Sequence, residues 1–135
     1  MTDRGARGRS GDSLRPRRVA YPPPDMALPH PLPDELAELI ARRFKLLGEP
    51  MRVKLLDRLR NGEESVQALA SSVGTTQQNV SKHLGALAEA GILARRKQGN
   101  YVYYGVVDDS IWQLCNDVCG SVERRLTELQ QLLST

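Results

Sequence analysis

Aromatic residues are scarce in this chain: one Phe, one Trp and four Tyr among 135 residues. Its core must come from Leu, Val, Ile and Ala, and it will be thin. Thin cores commonly gain burial by associating with a second copy. Long apolar runs are missing as well. None approaches the ~18 residues of a membrane helix. The Arg-rich start lacks the apolar segment of a secretory signal, so the cytoplasm is the expected compartment and no membrane partner is expected. Only two cysteines are present, Cys115 and Cys119. That number excludes a disulfide framework, and in a reducing compartment both should be thiols. The only histidines are His30 and His83. No nucleophile–base pair, phosphate-cradling loop or acid–base pair stands out, so an enzyme is not expected.

Positive charge is present but unevenly placed. The net charge is +3. Six arginines (Arg4, Arg7, Arg9, Arg15, Arg17, Arg18) face only Asp3 and Asp12 in the first twenty residues, which gives +4 there and leaves −1 for the rest. A nucleic-acid surface in the folded part must therefore come from local clustering. Residues 21–33 carry six prolines. Residues 1–33 thus read as a disordered Arg/Pro-rich tail, either a solvated spacer or a basic arm that tracks DNA. Residues 34–135 read as the folded domain.

Within that domain, Leu36, Leu39, Ile40, Phe44 and Leu47 mark a first helix, which Gly48 and Pro50 stop. Pro50 suits the first turn of a second helix, with Val53, Leu55, Leu56 and Leu59 as its expected buried face. Ser65 looks like the cap of a short third helix that Gly74 closes. A fourth helix starts at Thr75 or Thr76 and runs to about Ala90. Ile92 to Lys97 and Tyr101 to Val106 then flank Gln98-Gly99-Asn100, the signal of a β-hairpin. Asp108 or Asp109 caps a last helix whose apolar positions run from Ile111 to Leu133, roughly 33 Å at 1.5 Å per residue. The expected fold is mainly α with a small hairpin: a winged helix-turn-helix that dimerises through its first and last helices.

Projected at about 100° per residue, the fourth helix gathers Val80, Leu84 and Leu87 on one arc, with His83 at its edge. Gln77, Gln78, Ser81, Lys82 and Gly85 share the opposite arc. Two amides, a hydroxyl and a cation are the groups that read base edges and hold phosphates in a major groove. Thr76 stands at the start of this helix, where the backbone dipole favours an anion. The hairpin adds Arg95, Arg96 and Lys97, then Gln98 and Asn100 near its tip, a ribbon fit for phosphate or minor groove. The competing reading is a winged helix used as a protein-interaction module. The absence of an exposed apolar anchor on the polar arc argues against it.

Leu46-Leu47-Gly48-Glu49-Pro50-Met51-Arg52, Val80-Ser81-Lys82-His83-Leu84, Leu87, Ala90-Gly91-Ile92-Leu93, Gly99 and Tyr104 together resemble the ArsR/SmtB family of bacterial repressors, over about residues 35–133. The resemblance implies a winged-helix homodimer on a double-stranded DNA operator with dyad symmetry, released by an effector bound elsewhere. It places Gln77, Gln78 and Ser81 at bases, and Ser81, Lys82 and His83 near phosphates. His83 has a second reading, a hydrogen bond that braces the motif. The family's usual metal sites find no ligands here. The stretch from Ser65 to Gly74 has no Cys, and the last helix has no His. What remains is Cys115 and Cys119, one turn apart. They are candidates for a soft metal or metalloid site, for thiol redox sensing, or for packing alone. A metal there would need a third ligand, from Glu123, Asp108 or the partner of a dimer.

Overall fold

The computed structural model describes residues 28–134. By its contacts the chain divides into two units, residues 1–37 and 38–135. The tail expected over residues 1–33 lies outside the described residues except for its last six.

Helix α1 spans Asp34–Leu47. Asp34 and Glu35 occupy its first turn and Lys45 its last, the order the helix dipole favours. Helix α2, Pro50–Arg58, begins on a proline, whose missing N–H costs nothing at a first turn. Strand β1, Glu64–Ser65, is a two-residue element that periodicity did not announce. Helix α3, Val66–Val73, is capped by Ser65, whose Oγ accepts the Ala68 N–H at 3.1 Å. It closes on Gly74 at φ 75°, a left-handed conformation that would strain any other residue. Helix α4, Gln77–Glu89, starts three residues later, with the Thr76 hydroxyl accepting the Asn79 N–H at 3.0 Å. Adjacent caps on so short a connection make the helix-turn-helix corner. Strands β2, Leu93–Gln98, and β3, Tyr101–Val106, form an antiparallel hairpin around Gly99 and Asn100, and β1 pairs on the far side of β3. Helix α5 covers Ser110–Ser134. At its start the Asp108 carboxylate accepts hydrogen bonds from the Ser110 hydroxyl at 2.6 Å and N–H at 3.2 Å, which hold its pKa below the ordinary value.

The core is small and sits between α2, α3, α4 and the sheet. Leu55 and Leu56 from α2 and its C-cap Leu59 meet Leu69 from α3, then Val80, Leu84 and Leu87 from α4 and Ile92. Each buried Leu contributes about 1.5–3 kcal/mol relative to an exposed one. The expected face of α2 needs one correction. Val53 is 52% exposed, and the helix turns Leu55, Leu56 and Leu59 inward instead. Val53 lies two positions from Leu55, about 200° around the helix, so the two cannot share a face. Helices α1 and α5 behave differently. No residue of α1 is buried, and α5 buries Ile111 alone. Leu39, Phe44, Val118, Val122, Leu126 and Leu129 are all exposed. The start of α5 is fastened to the turn after α2 through Arg60. Its guanidinium lies 5.6 Å from the Trp112 ring centre and donates to Asn116 Oδ1 at 3.2 Å. No helix among the described residues is long and apolar enough to cross a membrane.

Candidate nucleic-acid interface

Helix α4 splits along its length. Val80, Leu84 and Leu87 are fully buried, while Gln77, Gln78, Ser81 and Lys82 are exposed together on the other side, next to the exposed cap Thr76. Packing three apolar residues against α2 and α3 leaves the amide and hydroxyl groups no choice but to face outward. Of the expected polar arc only Gly85 is partly covered, and His83, expected at the edge of the apolar arc, lies on the buried side.

His83 is 7% exposed and turned into the protein. Its Nδ1 accepts from Arg52 Nε at 3.0 Å, and Arg52 Nη1 also donates to the Leu46 carbonyl at 2.9 Å. An Arg can only donate, so Nδ1 carries no proton and the imidazole is neutral. Burial lowers the His83 pKa, and the Arg52 charge lowers it further; Glu49 opposes and Lys82 adds. Of the two readings of His83, this geometry is the brace: it ties the reading helix to the start of α2 and the end of α1. The expected phosphate contact is corrected accordingly, because the ring is buried.

The five wing residues do not act as one patch, because side chains alternate across a strand. Arg95 pairs with Tyr104 and Lys97 with Val102, so these share one face, and Tyr104 is part of the core. Arg96 pairs with Tyr103 and Gln98 with Tyr101 on the other. On the first face a cleft of about 270 Å³ opens between wing and reading helix, lined by Gln67, Gln77, Ser81, Arg95, Asn100 and Tyr104 among others. On the second face, Arg96 donates to both carboxylate oxygens of Glu63 and to Gln98 Oε1, and its guanidinium lies 4.7 Å from the Tyr103 ring centre. The hydrogen bonds of this pair lower the Glu63 pKa and raise that of Arg96.

Gln67 was missed by the sequence reading. It follows the Ser65 cap by two residues, at the first turn of α3, and its buried Oε1 finds no hydrogen-bond donor among the described residues. The signal was its place at the opening of the first helix of the motif, an end that points its N–H groups outward.

Cys115 is half-buried against the core and Cys119 is exposed; both are free thiols. Burial, then the neighbouring Cys119, raises the Cys115 pKa. Among the described residues no three His, Cys, Asp or Glu are grouped to hold a metal ion. The third ligand that a metal would require is therefore not supplied by Glu123 or Asp108 in this arrangement.

Residues 47–96 match the family model of a helix-turn-helix domain. Over 95 residues the chain is 34% identical to the HTH-type transcriptional regulator KmtR of Mycobacterium tuberculosis, covering 70% of this chain and 73% of that protein. The crystal structure of the AntR antimony-specific transcriptional repressor superposes with a TM-score of 0.66 at 27% identity, over 81% of this chain and 99% of its own. The homodimeric winged helix-turn-helix DNA-binding domain of a Mycobacterium bovis protein gives 0.63 at 29% identity, over 75% and 94%. A polar reading helix beside a cationic ribbon, the motifs from Leu46 to Tyr104 and these relatives agree: the chain belongs to the ArsR/SmtB family of winged-helix, DNA-binding transcriptional regulators.

Proposed function

We propose that the protein is a homodimeric, effector-responsive repressor that binds an operator of dyad symmetry. One observation carries the DNA reading: α4 exposes amides, a hydroxyl and a cation along one face, and two of these residues, Gln77 and Ser81, line a cleft together with Arg95. The exposed face has no large apolar side chain, which disfavours the alternative of a protein-docking module. Gln77 and Gln78 have the donor and acceptor pair that reads adenine, Ser81 reaches base or phosphate, and Lys82 neutralises phosphate. The dimer is supported by the exposed apolar residues of α1 and α5 and by the homodimeric M. bovis relative. A two-fold axis through those helices would set two reading heads on successive major grooves.

An effector would act by favouring one spacing of the two heads over another. For the cysteine pair, the burial of Cys115 and its raised pKa support packing over sensing, because a protonated thiol is a poor ligand and a poor nucleophile.

The test is binding to the intergenic DNA upstream of the protein's own coding sequence, set against a random duplex of equal length. Gln77→Ala is expected to weaken specific binding by about 1–3 kcal/mol and leave random binding nearly unchanged. Equal losses on both duplexes would overturn the assignment of α4 as the reading helix.

A further inference from the structure

Three consecutive cations, Arg95-Arg96-Lys97, read along the chain as one DNA-binding patch, and the strand divides them. We propose that Arg96 is a positioning residue that holds the wing in place, while Arg95, in the cleft with Gln67, Gln77 and Ser81, takes a backbone phosphate. The proposal rests on the DNA reading above and deepens it.

Four observations place Arg96 apart from the DNA side. It projects from the sheet face opposite Arg95, as the pairing with Tyr103 requires. Its guanidinium forks onto both oxygens of Glu63 while stacking on Tyr103, so its donors and its ring-like face are both engaged. Glu63 lies immediately before β1, so this contact joins the hairpin to the strand that leads into the first helix of the motif. The fourth observation is Gly105. A Cβ there would stand 3.1 Å from Glu63 Cβ, so the glycine is what lets Glu63 come close enough to meet Arg96. A phosphate drawn to Arg96 would have to displace a carboxylate already held in bidentate form.

Arg95 has the opposite surroundings. It shares its cleft with two groups of the reading helix and with the orphaned amide of Gln67. The same side chain carries an NH2, which can donate to an anion. The cleft thus assembles a cation, a hydroxyl and amides from α3, α4 and the wing around one anionic group.

The two roles predict opposite signs for a single change. If Glu63 merely competes with DNA for Arg96, Glu63→Gln frees the cation and tightens binding. If Arg96 positions the wing, the same substitution weakens binding although it removes a negative charge. The experiment measures affinity for the upstream duplex across a range of salt concentrations, for Arg95→Gln, Arg96→Gln, Glu63→Gln and Gly105→Ala. Arg95→Gln is expected to lower the slope of log K against log salt by about 0.9 per protomer, one phosphate contact. Arg96→Gln, Glu63→Gln and Gly105→Ala are expected to weaken binding roughly three- to tenfold with the slope unchanged. Thermal unfolding of each variant separates a displaced wing from a lost fold, and Gly105→Ala reaches the same contact without touching a charge. A slope that falls as far for Arg96→Gln as for Arg95→Gln, or tighter binding by Glu63→Gln, overturns the proposal while leaving the DNA reading standing. Indifference of all four variants, with Gln77→Ala also silent, overturns the DNA reading beneath it.

Discussion

Helices α2 to α4 and helices α1 and α5 treat the same kind of residue in different ways. In the first group, leucines are spent inward: Leu55, Leu56, Leu69, Leu84 and Leu87 are buried, and Val53 is the large apolar side chain left exposed. In the second group the stripe is just as apolar, yet Phe44 of α1 and Leu126 of α5 are more than half exposed. The motif is complete within one chain. The flanking helices leave theirs exposed, and the difference separates residues that hold the fold from residues that the proposed dimer would cover.

The largest expected effect tests the incomplete half. Leu126→Asp with Leu129→Asp should leave the monomer folded, because neither side chain belongs to the core. Sedimentation should show monomers, and affinity for the operator should fall at least about 100-fold as the second reading head is lost. An intact dimer would mean that the interface lies elsewhere.

A second experiment sharpens the comparison within one helix. Leu55→Ala removes a fully buried side chain and should cost about 2–5 kcal/mol in urea unfolding. Val53→Ala, two positions away, should stay within about 0.5 kcal/mol. A large loss at Val53 would show that this face is covered in solution.

The smallest effect concerns the brace. In the folded protein the His83 pKa lies below its ordinary 6.5, so the unfolded chain binds the proton more readily. Stability is therefore full above about pH 6.5 and falls as pH drops toward the folded value, by at most ~1.4 kcal/mol per pH unit. In His83→Gln an amide oxygen can still accept from Arg52, and this contribution to the slope should vanish. An identical pH dependence in both proteins would remove His83 from the account.

Much of this was legible in the sequence, for local reasons. Ser65, Gly74 and Thr76 mark their helix ends through contacts made within a few residues, and the period of Val80, Leu84 and Leu87 fixes which face of α4 is left to the solvent. What was not legible depends on distant partners. The side of the ring that His83 uses depends on Arg52, 31 positions away, and the role of Arg96 depends on Glu63, 33 positions away. Strand β1 is too short to show a period, and Val53 looked buried because an apolar letter carries no angle.

The place of β2 has a consequence of another kind. In the order β1-β3-β2 it is the outermost strand of its sheet, and among the described residues one side of its backbone has no neighbouring strand. Such an open ribbon invites another like itself. Arg95, Arg96 and Lys97 occupy its centre, and Glu63 offsets only Arg96, so two wings that approached edge to edge would bring together the four charges of two Arg95 and two Lys97 side chains. Arg95, proposed above to take a phosphate, would then serve two ends at once, since the charge that meets nucleic acid also repels a second ribbon.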